Sequence, residues 1–335
     1  MSRFDYDLPE ELIAQVPIEP RDAARLLVVD RSRDTLSDRG VRDLPALLQP
    51  GDLLVLNDTR VLPARLRLRR ESGGAVELLL LRRRDDACWE TLARPARRLR
   101  DGETLYAESL PVATWLGRQD DLGVVRLHDE SQLDALGEMP LPPYITQPLL
   151  DPERYQTVFA RQRGSAAAPT ASLHFTPELL VALDARGVQI AWVTLHVGLD
   201  TFQPVREDDA LQHHIHAEWY AAPAETINLL REQRHRGGRI VAVGTTSVRT
   251  LESVADLVLS DAPAADVSGE TRMYITPGHA FQLVDVMLTN FHLPRTTLLL
   301  LVAAFGGEAR LRAAYVHAVE QRYRFYSFGD AMLIV

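Results

Sequence analysis

The chain has 335 residues, 46% apolar and 25% charged, with a net charge of −9. At roughly 100–200 residues per domain this length gives two domains, and it buries a core without a disulfide or metal staple. A single cysteine, Cys88, excludes an intrachain disulfide and an iron–sulfur cluster, and the absence of lysine excludes a P-loop lysine, a pyridoxal Schiff base and any lysine nucleophile.

In chain order, Asp7-Leu8-Pro9-Glu10-Glu11 reads as a helix start, with a cap, an early proline and acids in the first turn. Leu26 to Val29 and Leu53 to Leu56 are short apolar runs expected as buried strands. From residue 64 the texture changes. Leu66, Leu68, Val76, Leu78 and Leu80 nearly alternate, and glycine-bearing turns recur at Gly73-Gly74, Asp101-Gly102, Gly117 and Gly123. Short strands with regular turn signals predict a small β-barrel or sandwich. Pro140-Leu141-Pro142-Pro143-Tyr144 reads as a rigid extended linker that ends it. The expected layout is a β-rich domain at 64–147 inserted into a discontinuous domain at 1–63 and 148–335.

After Asp151 helix and strand alternate. Thr176-Pro177-Glu178 opens a helix that Gly187 closes, and Val188 to Leu195 follows as a strand. Pro223 to Arg236 is a helix stopped by Gly237-Gly238, Ile240 to Val243 a strand, and Gly244 to Ser247 leads into the next helix. The alternation predicts an α/β domain. Leu298 to Phe305 reads as a buried helix, too short for a bilayer, which takes about 20 residues. One cysteine and a polar, acidic start unlike a signal peptide give a cytoplasmic protein as the expectation, with no membrane.

Charge is unevenly spread. Arg60 to Arg100 holds twelve arginines against five acids, +7 in a chain that is −16 elsewhere. Such a segment is either a phosphate-binding face or a solvated sheet face.

Seven constellations bear chemistry. Val243 to Arg249, with Glu252 a turn on, puts glycine and then Thr245, Thr246 and Ser247 at a helix N-terminus; this is either an anion site or ordinary capping. Ala167 to Phe175 is a loop of small residues carrying His174, which either transfers a proton or is structural. His196 stands at the end of a predicted strand, where ligands of open α/β sheets sit, or is a structural strand histidine. His213-His214-x-His216-x-Glu218 looks like a metal cluster, but its spacing does not match the helical His-Glu-x-x-His pattern, and no metal is expected. Leu288 to Pro294 offers the Asn290 amide and the Phe291 ring, suited to a heterocyclic base or to a turn. Asp58, after a strand, either holds an amine or caps its turn. Arg310, Arg312, Arg322 and Arg324 among Tyr315, Tyr323, Phe325 and Tyr326 fit RNA contact and an amphipathic helix on the core equally.

In order, the runs GDLLVLNDTRV (51–61), MPLPPYI (139–145), AAPTA (167–171), LHF (173–175), VTLHVG (193–198), TFQPV (201–205), VGTTSVR (243–249), TNFHLP (289–294) and YRFYSFGDAM (323–332) resemble the S-adenosylmethionine:tRNA ribosyltransferase-isomerase family of the queuosine pathway. The resemblance covers nearly the whole chain. It implies an α/β main domain with a mixed sheet plus an inserted small β-barrel domain. It further implies transfer and isomerisation of the ribosyl group of S-adenosylmethionine onto 7-aminomethyl-7-deazaguanine at the tRNA wobble position, giving epoxyqueuosine, adenine and methionine. S-adenosylmethionine is then a consumed substrate, tRNA the partner, and no cofactor or metal is needed; a monomer is expected. The family usually has glycine where Ser172 and Asp200 stand, which strains either position if its φ is positive.

With that chemistry, His174 or His196 is the expected proton-transfer group, and Arg249 with the Thr245–Ser247 helix start the holder of the methionine carboxylate. Asp58 is expected at an ammonium or at the aminomethyl group. Asn290 and Phe291, with Thr170 and His292 beside them, are expected at a heterocycle. Arg67, Arg69, Arg97 and Arg98 are expected on tRNA phosphates. Two other classes stay open at this point: a metallohydrolase on the 213–218 histidines, and a non-catalytic RNA-binding module.

Overall fold

The computed structural model describes residues 4–84, 87–119, 122–198, 215 and 217–335. β1 (Arg25–Asp30) and β2 (Thr35–Gly40) form a hairpin, followed by the short α1 (Leu44–Leu47) and by β3 (Leu53–Asn57). All five residues of β3 are buried, as expected of a strand covered on both faces. The predicted helix start at Asp7 is a correction: only one 3₁₀ turn forms, Glu10–Leu12. Tertiary pairing overrides the local signal. Ile13 bridges Phe325, and Phe325 N–H donates to the Leu12 carbonyl at 2.8 Å, which needs extended chain.

β4 (Thr59–Val61) leaves the sheet and pairs in parallel with β12 (Gln162–Ser165), where the chain returns. Between them lie β5 (Arg65–Arg70), β6 (Ala75–Arg83), β7 (Cys88–Arg94), β8 (Thr104–Ala107), β9 (Leu110–Gln119) and β10 (Leu122–Leu127). They run β5-β6-β7-β10-β9-β8, and β8 closes back on β5. The result is the expected barrel, six-stranded and antiparallel. Period-2 alternation buries Leu66, Leu68, Val76, Leu78 and Leu80 and turns Arg65, Arg67 and Arg69 outward. Gly123 is required, because a Cβ there would lie 2.1 Å from the Trp115 ring. After α2 (Leu133–Leu136), β11 (Gly137–Glu138) adds to β5, and the proline-rich segment that follows turns where an extended linker was expected, with Ile145 N–H donating to the Pro142 carbonyl at 3.0 Å.

The rest is α/β: α3 (Pro177–Ala185), β13 (Gln189–Leu195), β14 (Glu218–Ala222), α4 (Ala224–His235), β15 (Ile240–Val243), α5 (Gly244–Ser253), α6 (Ala255–Leu259), β16 (Val267–Thr271), β17 (Val286–Asn290), α7 (Thr297–Gly306), α8 (Glu308–Glu320) and β18 (Ala331–Ile334). The mixed sheet runs β16-β14-β13-β3-β15-β17-β18-β1-β2, with β13, β3, β15 and β17 mutually parallel. Alternate residues feed two cores. Leu53 and Val55 pack with residues of α4 to α8, while Leu54 and Leu56 pack with α1, α3 and Phe175. Among the described residues no helix is long and apolar enough to cross a membrane.

Candidate active site

The carboxyl ends of β13, β3, β15 and β17 lie along one sheet edge, and chain order reverses at β3. Ligands of open α/β sheets collect at such a place. There a 3₁₀ turn, Thr170–His174, packs against the start of α5 and the end of β17. Gly244, at φ +83°, opens α5; a Cβ on it would sit 3.6 Å from Ala171 Cβ and 3.5 Å from Thr246 Oγ1.

Buried polar groups normally have partners. Among the described residues ten buried side-chain polar atoms have none, and seven belong to this turn or the segments packed on it: Tyr155 Oη, Ser172 Oγ, His174 Nε2, Thr246 Oγ1, Ser247 Oγ, Arg249 Nη2 and Asn290 Oδ1. Their concentration in one place makes the 170–174 turn and its neighbours the candidate site.

Two clefts flank Ser327. One, about 260 Å³ to its open mouth, is lined by Arg21, Arg154, His174, Ser327 and Phe328 among others. The other, about 310 Å³, is lined by Tyr144, Thr170, Asn290, His292, Tyr326 and Ser327 among others. Tyr326 holds a positive φ of 71°, fixed by the Asn290 amide, which donates to its carbonyl at 2.8 Å. The Tyr144 hydroxyl shares a 2.7 Å hydrogen bond with Ser327 Oγ.

His174 is buried, and burial pulls its pKa down to about 4. Asn290 lies close enough to bias the ring toward its charged form, without hydrogen-bond geometry. Burial also lowers His292 to about 3, and its Nε2 is 2.8 Å from Thr289 Oγ1. His196 falls to about 4 by burial; its Nδ1 is 2.8 Å from Thr59 Oγ1 and its ring stacks on Trp219 at 4.8 Å. It lines neither cleft. A Cβ on Gly164 would lie 2.4 Å from its Nε2, so that glycine makes room for the ring.

The structure thus brings Thr170, His174, Asn290 and His292 together, with Thr246 and Ser247 beside the same turn. Three expected residues have other engagements. The Asp58 carboxylate accepts from Arg161 Nη2 at 3.0 Å and Thr194 Oγ1 at 2.7 Å, tying strand ends together. Phe291 lines the second cleft, and its ring is fully buried among Tyr315, Tyr323 and Phe325. Arg249 is paired with Glu218 and donates to the Met273 carbonyl at 3.0 Å. The C-terminal aromatics Tyr315, Tyr323, Phe325 and Tyr326 belong to the core, which favours packing over RNA contact.

Ser172 has no positive φ, so its backbone carries none of the anticipated strain. Its hydroxyl is fully buried and unpartnered. Asp200 and the histidines at 213, 214 and 216 lie outside the described residues; among those described, no group of acids, histidines and cysteines could hold a metal.

The basic segment is less positive in space than in sequence, because five glutamates from elsewhere in the chain reach it. Arg60 pairs with Glu153, Arg67 with Glu138, Arg70 with Glu103, Arg82 with Glu90 and Glu270, and Arg83 with Glu130. Arg69, Arg94, Arg97 and Arg98 make no ion pair with the described residues and are exposed. They lie toward the barrel end formed by the 70–75 turn and the 94–104 connection.

Sequence reasoning missed Arg21, Arg154, Tyr144 and Ser327. Tyr144 and Ser327 stood inside runs already singled out. Arg21 gave no signal, since its partners Glu153, Gln156 and Leu173 are more than 130 residues away.

Fold and clefts define an α/β ligand-binding protein with its site at the strand carboxyl ends and a barrel inserted beside it. The profile of the queuosine biosynthesis protein family matches residues 1–334, and the chain belongs to that family. It is 54% identical over its full length to the S-adenosylmethionine:tRNA ribosyltransferase-isomerase of Symbiobacterium thermophilum, and 50% identical to that of Thermotoga maritima, covering 99% of each. A crystal structure of S-adenosylmethionine tRNA ribosyltransferase from Thermotoga maritima is similar at a TM-score of 0.59 and 42% identity, over 99% of this chain and 100% of that one.

Proposed function

We propose that the chain transfers and isomerises the ribosyl group of S-adenosylmethionine onto 7-aminomethyl-7-deazaguanine at the tRNA wobble position, leaving epoxyqueuosine in the tRNA and releasing adenine and methionine. Full-length relatives bearing that activity in their names support it. The observation that carries the site assignment is the set of unpartnered buried polar atoms around the 170–174 turn.

S-adenosylmethionine spans the two clefts across Ser327. The sulfonium acidifies the C5′ proton, and the His174 ring, neutral at pH 7 and lining the cleft, takes it. The resulting ylide rearranges with departure of adenine, which collects a proton. The aminomethyl nitrogen of the tRNA base then attacks, and methionine leaves as the epoxide closes. Asn290 Oδ1 accepts from an exocyclic amine of the heterocycle, with Thr170 and His292 as neighbouring walls. Thr245, Thr246 and Ser247, at the start of α5, support the 170–174 turn from behind. His196, Asp58, Phe291 and Arg249 hold this frame.

The barrel, taken as 64–147, presents Arg69, Arg97 and Arg98 to tRNA phosphates, with Arg67 contributing less because Glu138 holds it. S-adenosylmethionine is consumed, no cofactor or metal takes part, and the protein works as a cytoplasmic monomer. The test is incubation of purified protein with S-adenosylmethionine and tRNA carrying the aminomethyl base, without added metal. Adenine release and the mass of epoxyqueuosine are expected; intact tRNA binding with no adenine would leave only a binding role.

A further inference from the structure

The two clefts differ in charge. The one lined by Tyr144, Thr170, Asn290 and His292 has no Arg, Asp or Glu in its wall. The other has Arg21 and Arg154. Arg21 is half-buried and donates only to backbone: Nη1 to the carbonyls of Gln156 at 2.8 Å and Leu173 at 3.3 Å, and Nη2 to that of Glu153 at 3.0 Å. A guanidinium has five N–H groups, so two remain. No described carboxylate forms an ion pair with Arg21; Glu19, Asp151 and Glu153 act on it only at longer range. Burial, and then the charge of Arg154, pull its pKa below the ordinary guanidinium range. Arg154 is held on one side by the Ile18 carbonyl at 2.7 Å and on the other by Glu19, whose side chain is 74% exposed. Arg324, nearby, donates to the Val16 carbonyl and also makes no side-chain ion pair with the described residues. A half-buried cation with only carbonyl partners carries a desolvation cost that an anion offsets.

We propose that the cleft lined by Arg21, Arg154 and His174 is an oxyanion subsite, taking a carboxylate or phosphate group of the reacting substrates. The inference rests on the reaction proposed above and adds a direction to it. S-adenosylmethionine has a neutral heterocycle at one end and a carboxylate at the other. The uncharged cleft suits the adenine, the cationic cleft suits the methionine carboxylate, and the sulfonium and C5′ fall between them, beside Ser327 and His174. Arg249 lines neither cleft and is paired with Glu218, although its Nη2 has no hydrogen-bond partner among the described residues. A phosphodiester next to the tRNA base has the same chemistry as the carboxylate, and the test separates the two.

The test compares wild type, Arg21→Lys and Arg154→Gln, each with S-adenosylmethionine and with its decarboxylated analogue, while the KM for tRNA is measured separately. Arg21→Lys keeps the charge and loses the fork. The expected result is a KM for S-adenosylmethionine raised about tenfold or more, with kcat within about threefold, the size of one lost charge-assisted hydrogen bond. Wild type should discriminate against the analogue by a similar factor, and Arg21→Lys should lose that discrimination. A raised KM for tRNA with discrimination intact supports the subsite and assigns it to a phosphate. Unchanged KM values for both substrates, or a fall in kcat alone, overturn it. If Arg21→Lys does not fold, Arg154→Gln and the wild-type analogue ratio decide between the same outcomes. If wild type releases no adenine, the proposed reaction fails; direct calorimetric binding of S-adenosylmethionine against its analogue then decides the subsite separately.

Discussion

Glu218 on β14 neutralises Arg249 on α5, and both side chains are less than a tenth exposed. The same carboxylate accepts from Gly198 N–H at 2.8 Å, so it ties the end of β13 to α5. Removing one partner strands the other as a buried charge. Glu218→Gln should therefore cost about 3–5 kcal/mol in urea unfolding, and the double replacement Glu218→Leu with Arg249→Leu much less. A double-variant loss equal to the sum of the two single-variant losses would mean the pair contributes no coupling.

The barrel arginines divide into held and free. Charge reversal at Arg97 and Arg98 should raise the KM for tRNA and leave S-adenosylmethionine binding unchanged, and it should reduce the salt dependence of tRNA binding. Arg67→Ala should do little, since Glu138 bonds to its Nε at 2.8 Å. An equal effect at Arg67 and Arg97 would place the tRNA elsewhere on the barrel.

Three histidines are held neutral by burial, with pKa values near 4 for His174 and His196 and near 3 for His292. In the unfolded chain each titrates near 6.5. Between those values the unfolded chain binds more protons, so stability is present above about pH 6.5 and is lost as pH falls toward 4. Urea midpoints should decline across that window, and His292→Gln should reduce the slope by about one proton. A flat profile from pH 7 to 5 would contradict the burial.

His174 lines a cleft with a free Nε2, whereas His196 is hydrogen-bonded to Thr59 and stacked on Trp219. His174→Gln should lower kcat by about 10²–10⁴-fold, the usual range for a general base. His196→Gln should act mainly on stability. The reverse ranking would move the base to the β13 edge.

Secondary structure was legible where the local signal and the tertiary environment agree. The buried run of β3 and the proline-to-glycine bracket of α3 both formed as read. The helix start at Asp7 failed because Ile13 pairs with Phe325, a partner more than 300 residues away. The candidate site was foreshadowed by its small-residue loop and by Asn290, which lie together in the fold. Roles of charged residues were not: whether Arg249, Asp58 or Arg67 is free depends on Glu218, Arg161 and Glu138, and sequence distance conceals each partner. The same distance hid Arg21.

The most direct test of the whole account is a crystal structure with S-adenosylmethionine bound. The ligand should straddle Ser327, with adenine against Asn290, the carboxylate at Arg21, and C5′ within about 3.5 Å of the His174 ring. Density instead at His196 and Trp219, with both clefts flanking Ser327 unfilled, would contradict it.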